Sequence, residues 1–143
     1  MRLVLDTNVI VAALRSQTGA SAELIRLATR GRLTLIGTLS LALEYLDVCA
    51  RPEVRSGLEV SEAEATKFAE QVAALLDPVE VNFRWRPLGP DPGDDHVIEA
   101  ALNGRADAIV TFNVRDFAEA SKRFSLPVVA PSGILHELER DNG

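Results

Sequence analysis

The chain is short of soft metal ligands: it has one cysteine, Cys49, and two histidines, His96 and His136. No intrachain disulfide is possible, and one chain alone cannot build a four-ligand zinc site from Cys and His. A bound metal would need oxygen ligands. A lone cysteine fits a reducing compartment. Long apolar runs are also missing. No stretch approaches the roughly 20 apolar residues of a membrane span. The apolar N-terminus is broken by Asp6, Asn8 and Arg15, so it does not read as a signal peptide. The expected location is the cytoplasm, with no membrane partner. Lysine is nearly absent, with Lys67 and Lys122 set against 13 arginines. Arginine suits bidentate phosphate pairing, but the base composition of a genome would explain the bias equally well. The net charge of −6 argues against indiscriminate coating of nucleic acid. It leaves room for a nucleic-acid enzyme whose clustered carboxylates are neutralised by divalent cations.

What is present is a good core. The chain has 143 residues, 47% of them hydrophobic, and this length is expected to form one domain, residues 1–143. Short apolar runs alternate with amphipathic patterns. Strands are expected at Leu3–Leu5, Leu33–Gly37, Val79–Phe83, Ala108–Thr111 and Pro127–Val129. Helices are expected at Val9–Arg15 and Ser21–Arg30, and over LALEYLDVCA with Thr38 or Ser40 as its cap. Further helices should open at a capping box from Ser61, at Asp94 or Asp95, at Asp116 and at Ser132. Arg84 to Gly93, rich in proline and glycine, reads as loop. The alternation predicts an α/β sandwich with a mostly parallel sheet, in which functional groups collect at the carboxyl ends of strands.

The acids fall where that rule places a site. Asp6 follows the first strand. Glu44 lies about one turn into the helix after the second. Asp91, Asp94 and Asp95 crowd a helix start, and Asn113 and Asp116 follow the strand AIVT. Converging carboxylates repel one another unless a cation sits among them, and an oxygen-only set suits Mg²⁺ or Mn²⁺. Each residue also has a plain structural role. Asp6, Thr7 and Asn8 are ordinary capping residues. Ser40, Glu44, Asp47 and Arg51 share a helical face that reads as a solvated stripe. Asp94 and Asp95 oppose a helix dipole, Asp116 resembles an N-cap, and Asn113 suits a turn. His96 reads as a surface histidine and Cys49 as a small buried hydrophobe. Trp85, between Arg84 and Arg86, reads as a packed loop residue more readily than as a base-stacking one.

Taken together and in order, LVLDTNVIVAAL, LSLALEYLDVCARPEV, DPGDDHVIEAALNGRADAIVTFNVRDF and VVAPSGILHEL resemble the PIN-domain nucleases, close to the toxin components of toxin–antitoxin pairs. The resemblance implies a PIN-like, Rossmann-like three-layer α/β/α sandwich. It also implies an Mg²⁺- or Mn²⁺-dependent endoribonuclease. Carried over by motif, Asp6, Glu44 and Asp94 match the metal-binding acids, and Asp95 takes a position that is often Asn. Many relatives read Thr-Gly-Asp after the fourth strand, where this chain has Thr111-Phe112-Asn113. Asn113 lacks the charge, and Asp116 is positioned to supply it. Thr7, Asn8 and Thr111 are expected to orient the acids, and Arg115 to steer the RNA. A cognate antitoxin and a homodimer are the partners the family implies.

Other classes fit less well. A haloacid-dehalogenase-type phosphatase needs a second Asp two residues after the first, and that position is Asn8. A receiver domain needs an early acid pair, whereas the pair here comes late. The remaining alternative is a non-catalytic PIN-fold binding module with a degenerate metal site, motivated by Asn113.

Overall fold

The computed structural model describes residues 1–82 and 92–142. The loop positions Trp85 and Asp91 fall outside the described residues.

Strand β1 (Arg2–Leu5) is RLVL, and Leu3, Val4 and Leu5 are all buried. Burial of consecutive residues means that both faces of the strand are covered, as in a parallel sheet with helices on either side. The same holds for β2 (Thr34–Gly37) and β4 (Ala108–Val110). With β3 (Asp77–Pro78) and β5 (Val128–Val129) they form a five-stranded sheet in the order β3-β2-β1-β4-β5, every pairing parallel. The sheet is therefore fully parallel, where the sequence pattern predicts a mostly parallel one.

Helices α1 (Thr7–Arg15), α2 (Ala20–Thr29), α3 (Leu39–Cys49), α4 (Pro52–Arg55), α5 (Glu62–Leu75), α6 (Asp95–Gly104), α7 (Ala118–Phe124) and α8 (Pro131–Asn142) link and flank the strands. Their starts follow local chemistry. Thr38, not Ser40, caps α3, its hydroxyl accepting the Leu41 N–H at 3.1 Å. Ser61 and Glu64 close the expected capping box of α5. The expected N-cap role of Asp116 is not what forms. Asp116 lies inside a 3₁₀ turn, Val114–Phe117, and α7 begins only at Ala118. Buried Phe117 holds that turn against the core and delays the helix.

The third strand is also displaced. The alternation in Val79–Phe83 predicts a strand there, but pairing occurs at Asp77–Pro78, and Phe83 lies outside the described residues. Position explains the shift. β3 is an edge strand, where a proline without an N–H is tolerated. After Val79 donates to the Gly37 carbonyl at 2.9 Å, the chain turns toward α6, where the Asn103 side chain accepts the Asn82 N–H at 2.9 Å.

The strand order sets the position of the site. The chain runs β1 to β2 to β3 in one direction, then crosses to the other side of β1 for β4 and β5. Adjacent strands β1 and β4 thus lead their following loops apart, leaving a crevice beyond their carboxyl ends. Leu5 is in register with Val110, and Asp6 donates its N–H to the Val110 carbonyl at 2.9 Å. Asp6 and Thr111 therefore leave the sheet side by side. Helix α6 precedes β4 and packs on β1, β2 and β4, so its N-terminus, with Asp94 and Asp95, lies toward the same edge.

Gly104 marks the other end of α6. A Cβ there would come within 2.6 Å of Ile36 Cδ1 and 2.7 Å of Val79 Cγ2. Ile36 is fully buried, so its side chain can shift only by disturbing the packing around it. The substitution Gly104→Ala is expected to destabilise the protein by about 1–3 kcal/mol, the usual cost of overpacking. Urea denaturation checks this, with an unchanged midpoint as the contrary result.

Candidate active site

Asp6 is the centre of the crevice. It is the N-cap of α1, and its Oδ1 accepts the Thr7 N–H at 2.8 Å. Its Oδ2 accepts the Thr111 hydroxyl, also at 2.8 Å. The plain capping role and a functional role are thus compatible, since each oxygen keeps a further lone pair. Asp6 is only 9% exposed. Burial is the largest influence on its carboxyl and pushes its pKa above the usual carboxylate range. The bonds from Thr111 and Thr7 oppose that shift, and the charges of Glu44 and Asp116 add to it.

Thr111 is the hub of the second strand end. Its fully buried hydroxyl donates to Asp6 and accepts from the Asn8 amide at 3.3 Å and the Asn113 N–H at 3.0 Å. Asn8 also accepts the Phe112 N–H, at 3.4 Å. The Asn113 carbonyl accepts the Asp116 N–H at 3.0 Å, closing the turn that brings Asp116 within electrostatic reach of Asp6. Asn113, Arg115 and Asp116 are exposed at the rim.

Glu44 arrives from the other neighbour of β1. It is half-buried on α3, which packs against α1, and its Oε2 accepts the Thr7 hydroxyl at 2.5 Å. That bond separates it from the solvated stripe predicted by periodicity. Asp47 and Arg51 do form such a stripe, as an exposed pair at 2.6 Å. Thr7 therefore binds two carboxylates at once, Asp6 through its N–H and Glu44 through its hydroxyl.

Sequence reasoning did not single out Tyr45. The ring is fully buried, and its hydroxyl donates to the Leu5 carbonyl, the last of β1. Burial raises the phenol well above its ordinary pKa, and the charges of Asp6 and Glu44 add to that. The signal in the sequence is the spacing Leu41, Tyr45, Cys49, which is the buried face of α3.

Asp94 is half-buried as the N-cap residue of α6. Its neighbour Asp95 is 2% exposed, and Glu99, one turn on, is 4% exposed. The capping and dipole roles predicted for this acid pair do not by themselves call for burying Asp95. His96 is half-buried rather than a fully exposed surface histidine, and Cys49 is buried as expected.

Among the described residues, no three His, Cys, Asp or Glu side chains are gathered closely enough to chelate an ion directly. The donor chemistry nevertheless fits a hard divalent cation. The groups are all oxygen, and a buried carboxylate is destabilised by two like charges that a cation would offset. Mg²⁺ commonly retains several waters and needs only one or two protein carboxylates.

A family model described as PIN domain matches residues 2–115 of the chain. No curated protein matches it. The matched span runs from β1 through Arg115 and takes in the Asp6, Glu44 and Thr111 arrangement.

The raised pKa of Asp6 has a definite sign for stability. A folded carboxyl that holds its proton more tightly than the unfolded one loses stability as pH rises through the carboxylate range toward neutrality. In metal-free buffer, Asp6→Asn should therefore gain stability relative to the native protein as pH rises from the acidic to the neutral range. Thermal melts across pH with a chelator present measure this, and a difference that stays flat or narrows contradicts it.

Proposed function

Starting from the fact that the chain belongs to the PIN-domain family, a family of metal-dependent nucleases, we propose that it is an Mg²⁺- or Mn²⁺-dependent endoribonuclease. The observation that carries the proposal is the buried carboxylate of Asp6, held at the switch point of the sheet and repelled by Glu44 and Asp116. Such a placement costs stability and is explained by a role in binding a cation.

In this reading Asp6, Glu44 and Asp94 hold the metal, with Asp116 or Asn113 completing the set. When bound, the metal supplies an acidified water and charge stabilisation for in-line hydrolysis of a phosphodiester. The residues of the chain set the geometry. Thr7 fixes Asp6 and Glu44 relative to each other. Thr111 prevents the Asp6 carboxylate from rotating, and Asn8 locks Thr111 and the following turn. Of the two candidates for the fourth position, Asp116 is supported by its charge acting on Asp6. No nucleophilic side chain is required. Arg115, exposed beside Asp116, steers the RNA backbone.

The family resemblance extends the proposal to the toxin of a toxin–antitoxin pair. The antitoxin would then be a protein that places a side chain in the acidic crevice, and the enzyme would act as a homodimer in the cytoplasm. A second reading, a binding module that has lost its metal site, is favoured by Asn113 in place of an acid and by the open spacing of the described carboxylates. Calorimetric titration with Mn²⁺ beside an RNA cleavage assay separates the two, because the module would show neither binding nor cleavage.

Asp6→Asn is expected to lower Mn²⁺-dependent RNA cleavage by about a hundredfold or more, the scale of losing one electrostatic element of a site, while circular dichroism stays native. Cleavage that survives in highly purified mutant protein would sink the mechanism. At the fourth position, Asp116→Ala should reduce cleavage more than Asn113→Ala, and the reverse order would assign that role to Asn113.

A further inference from the structure

The described residues with large, exposed apolar side chains are Met1, Leu39, Leu43, Phe112 and Val114. Phe112 and Val114 lie at the rim of the crevice, where the chain leaves β4. Leu39 and Leu43 lie one turn apart on α3, and Phe112 and Val114 flank Asn113. Phe112 differs from the other aromatic residues described. It is 53% exposed, whereas Tyr45 and Phe117 are buried and Phe68 and Phe124 are half-buried.

This exposure does not arise from a loose loop. The Phe112 N–H is held by Asn8 at 3.4 Å. Its neighbours are held by the bonds of the Thr111 hydroxyl to Asp6 and to the Asn113 N–H. The backbone that carries the ring is thus fixed one residue from the group that binds Asp6. The surroundings are acidic, so a polyanionic strand approaching the crevice meets repulsion from any carboxylate not neutralised. An aromatic face binds a nucleobase without needing charge. It also needs a base whose face is free, which a duplex does not offer.

We propose that Phe112 is a stacking platform for an unpaired nucleobase next to the phosphodiester bound at Asp6. The proposal rests on the nuclease reading and deepens it, because it selects single-stranded over paired substrate and leaves base identity open. It also divides the affinity between two kinds of contact. The contribution of Arg115 to phosphate binding weakens as salt rises, and the contribution of Phe112 does not. A protein covering the same apolar rim is the competing occupant.

The test uses the full chain with Mn²⁺ and short single-stranded RNAs carrying an abasic nucleotide at each position in turn. Wild-type protein should lose between about fivefold and about a hundredfold in kcat/KM at one abasic position beside the cleavage site. Phe112→Ala should show the same loss on the intact strand and no further loss at that abasic position. Phe112→Trp should retain wild-type behaviour, Phe112→Leu should behave like Phe112→Ala, and the loss should not shrink as salt is raised. Equal cleavage by wild type and Phe112→Ala, or undiminished sensitivity of Phe112→Ala to the abasic position, overturns the proposal and leaves the rim to a protein partner. If wild-type protein neither binds nor cleaves RNA, the nuclease reading itself fails, and the proposal fails with it.

Discussion

One hydroxyl, that of Thr111, ties the two central strands together where the backbone ladder ends. The last β1–β4 ladder bond runs from the Asp6 N–H to the Val110 carbonyl. Beyond it the loops diverge, and the next link is the Thr111 hydroxyl on the Asp6 carboxylate. Asn8 and Asn113 saturate the remaining capacity of that hydroxyl, so its proton is committed to Asp6. The rest of the crevice is built outward from this bond. Thr7 extends it to Glu44, and the Asn113 turn extends it to Asp116.

The arrangement sets local cost against global support. Asp6 is buried among like charges, which disfavours the ionised form. The surrounding structure bears this cost because Leu3, Val4 and Leu5 lie in the fully covered centre of the sheet, and Tyr45 secures the Leu5 carbonyl directly beneath the site. A carboxylate attached to such a strand cannot relax into solvent by moving its backbone. Rigidity of this kind is what a preorganised site needs.

Much of this was legible in the sequence. Strands β1 and β4 are short apolar runs that end in polar residues, and the alternation with helices predicted a parallel α/β sheet. Asp6 stood out because it breaks an apolar run where such sheets place their sites. Less legible were features that depend on three-dimensional pairing. The residues of β3 are selected by the free edge of β2 and not by their own alternation, so the strand forms at Asp77–Pro78 instead of the more strand-like residues that follow. Periodicity assigned Glu44 to a solvated stripe because it could not register Thr7 reaching across from α1. Asp116 resembled a cap, and only the burial of Phe117 shows why the chain turns through a 3₁₀ segment there. Tyr45 belonged to a visible apolar stripe, but the acceptor of its hydroxyl is distant in sequence.

The two outer strands carry a consequence for assembly. Each is only two residues long, β3 includes Pro78, and β5 directly follows Pro127. Pro78 has no N–H to offer an incoming strand, whereas Pro127 turns its carbonyl inward to Ile109 of β4; at both margins two residues present only a short row of backbone groups. Among the described residues, both margins of the sheet are therefore poor templates for strand addition. Margins this short favour contacts through side chains over shared backbone ladders.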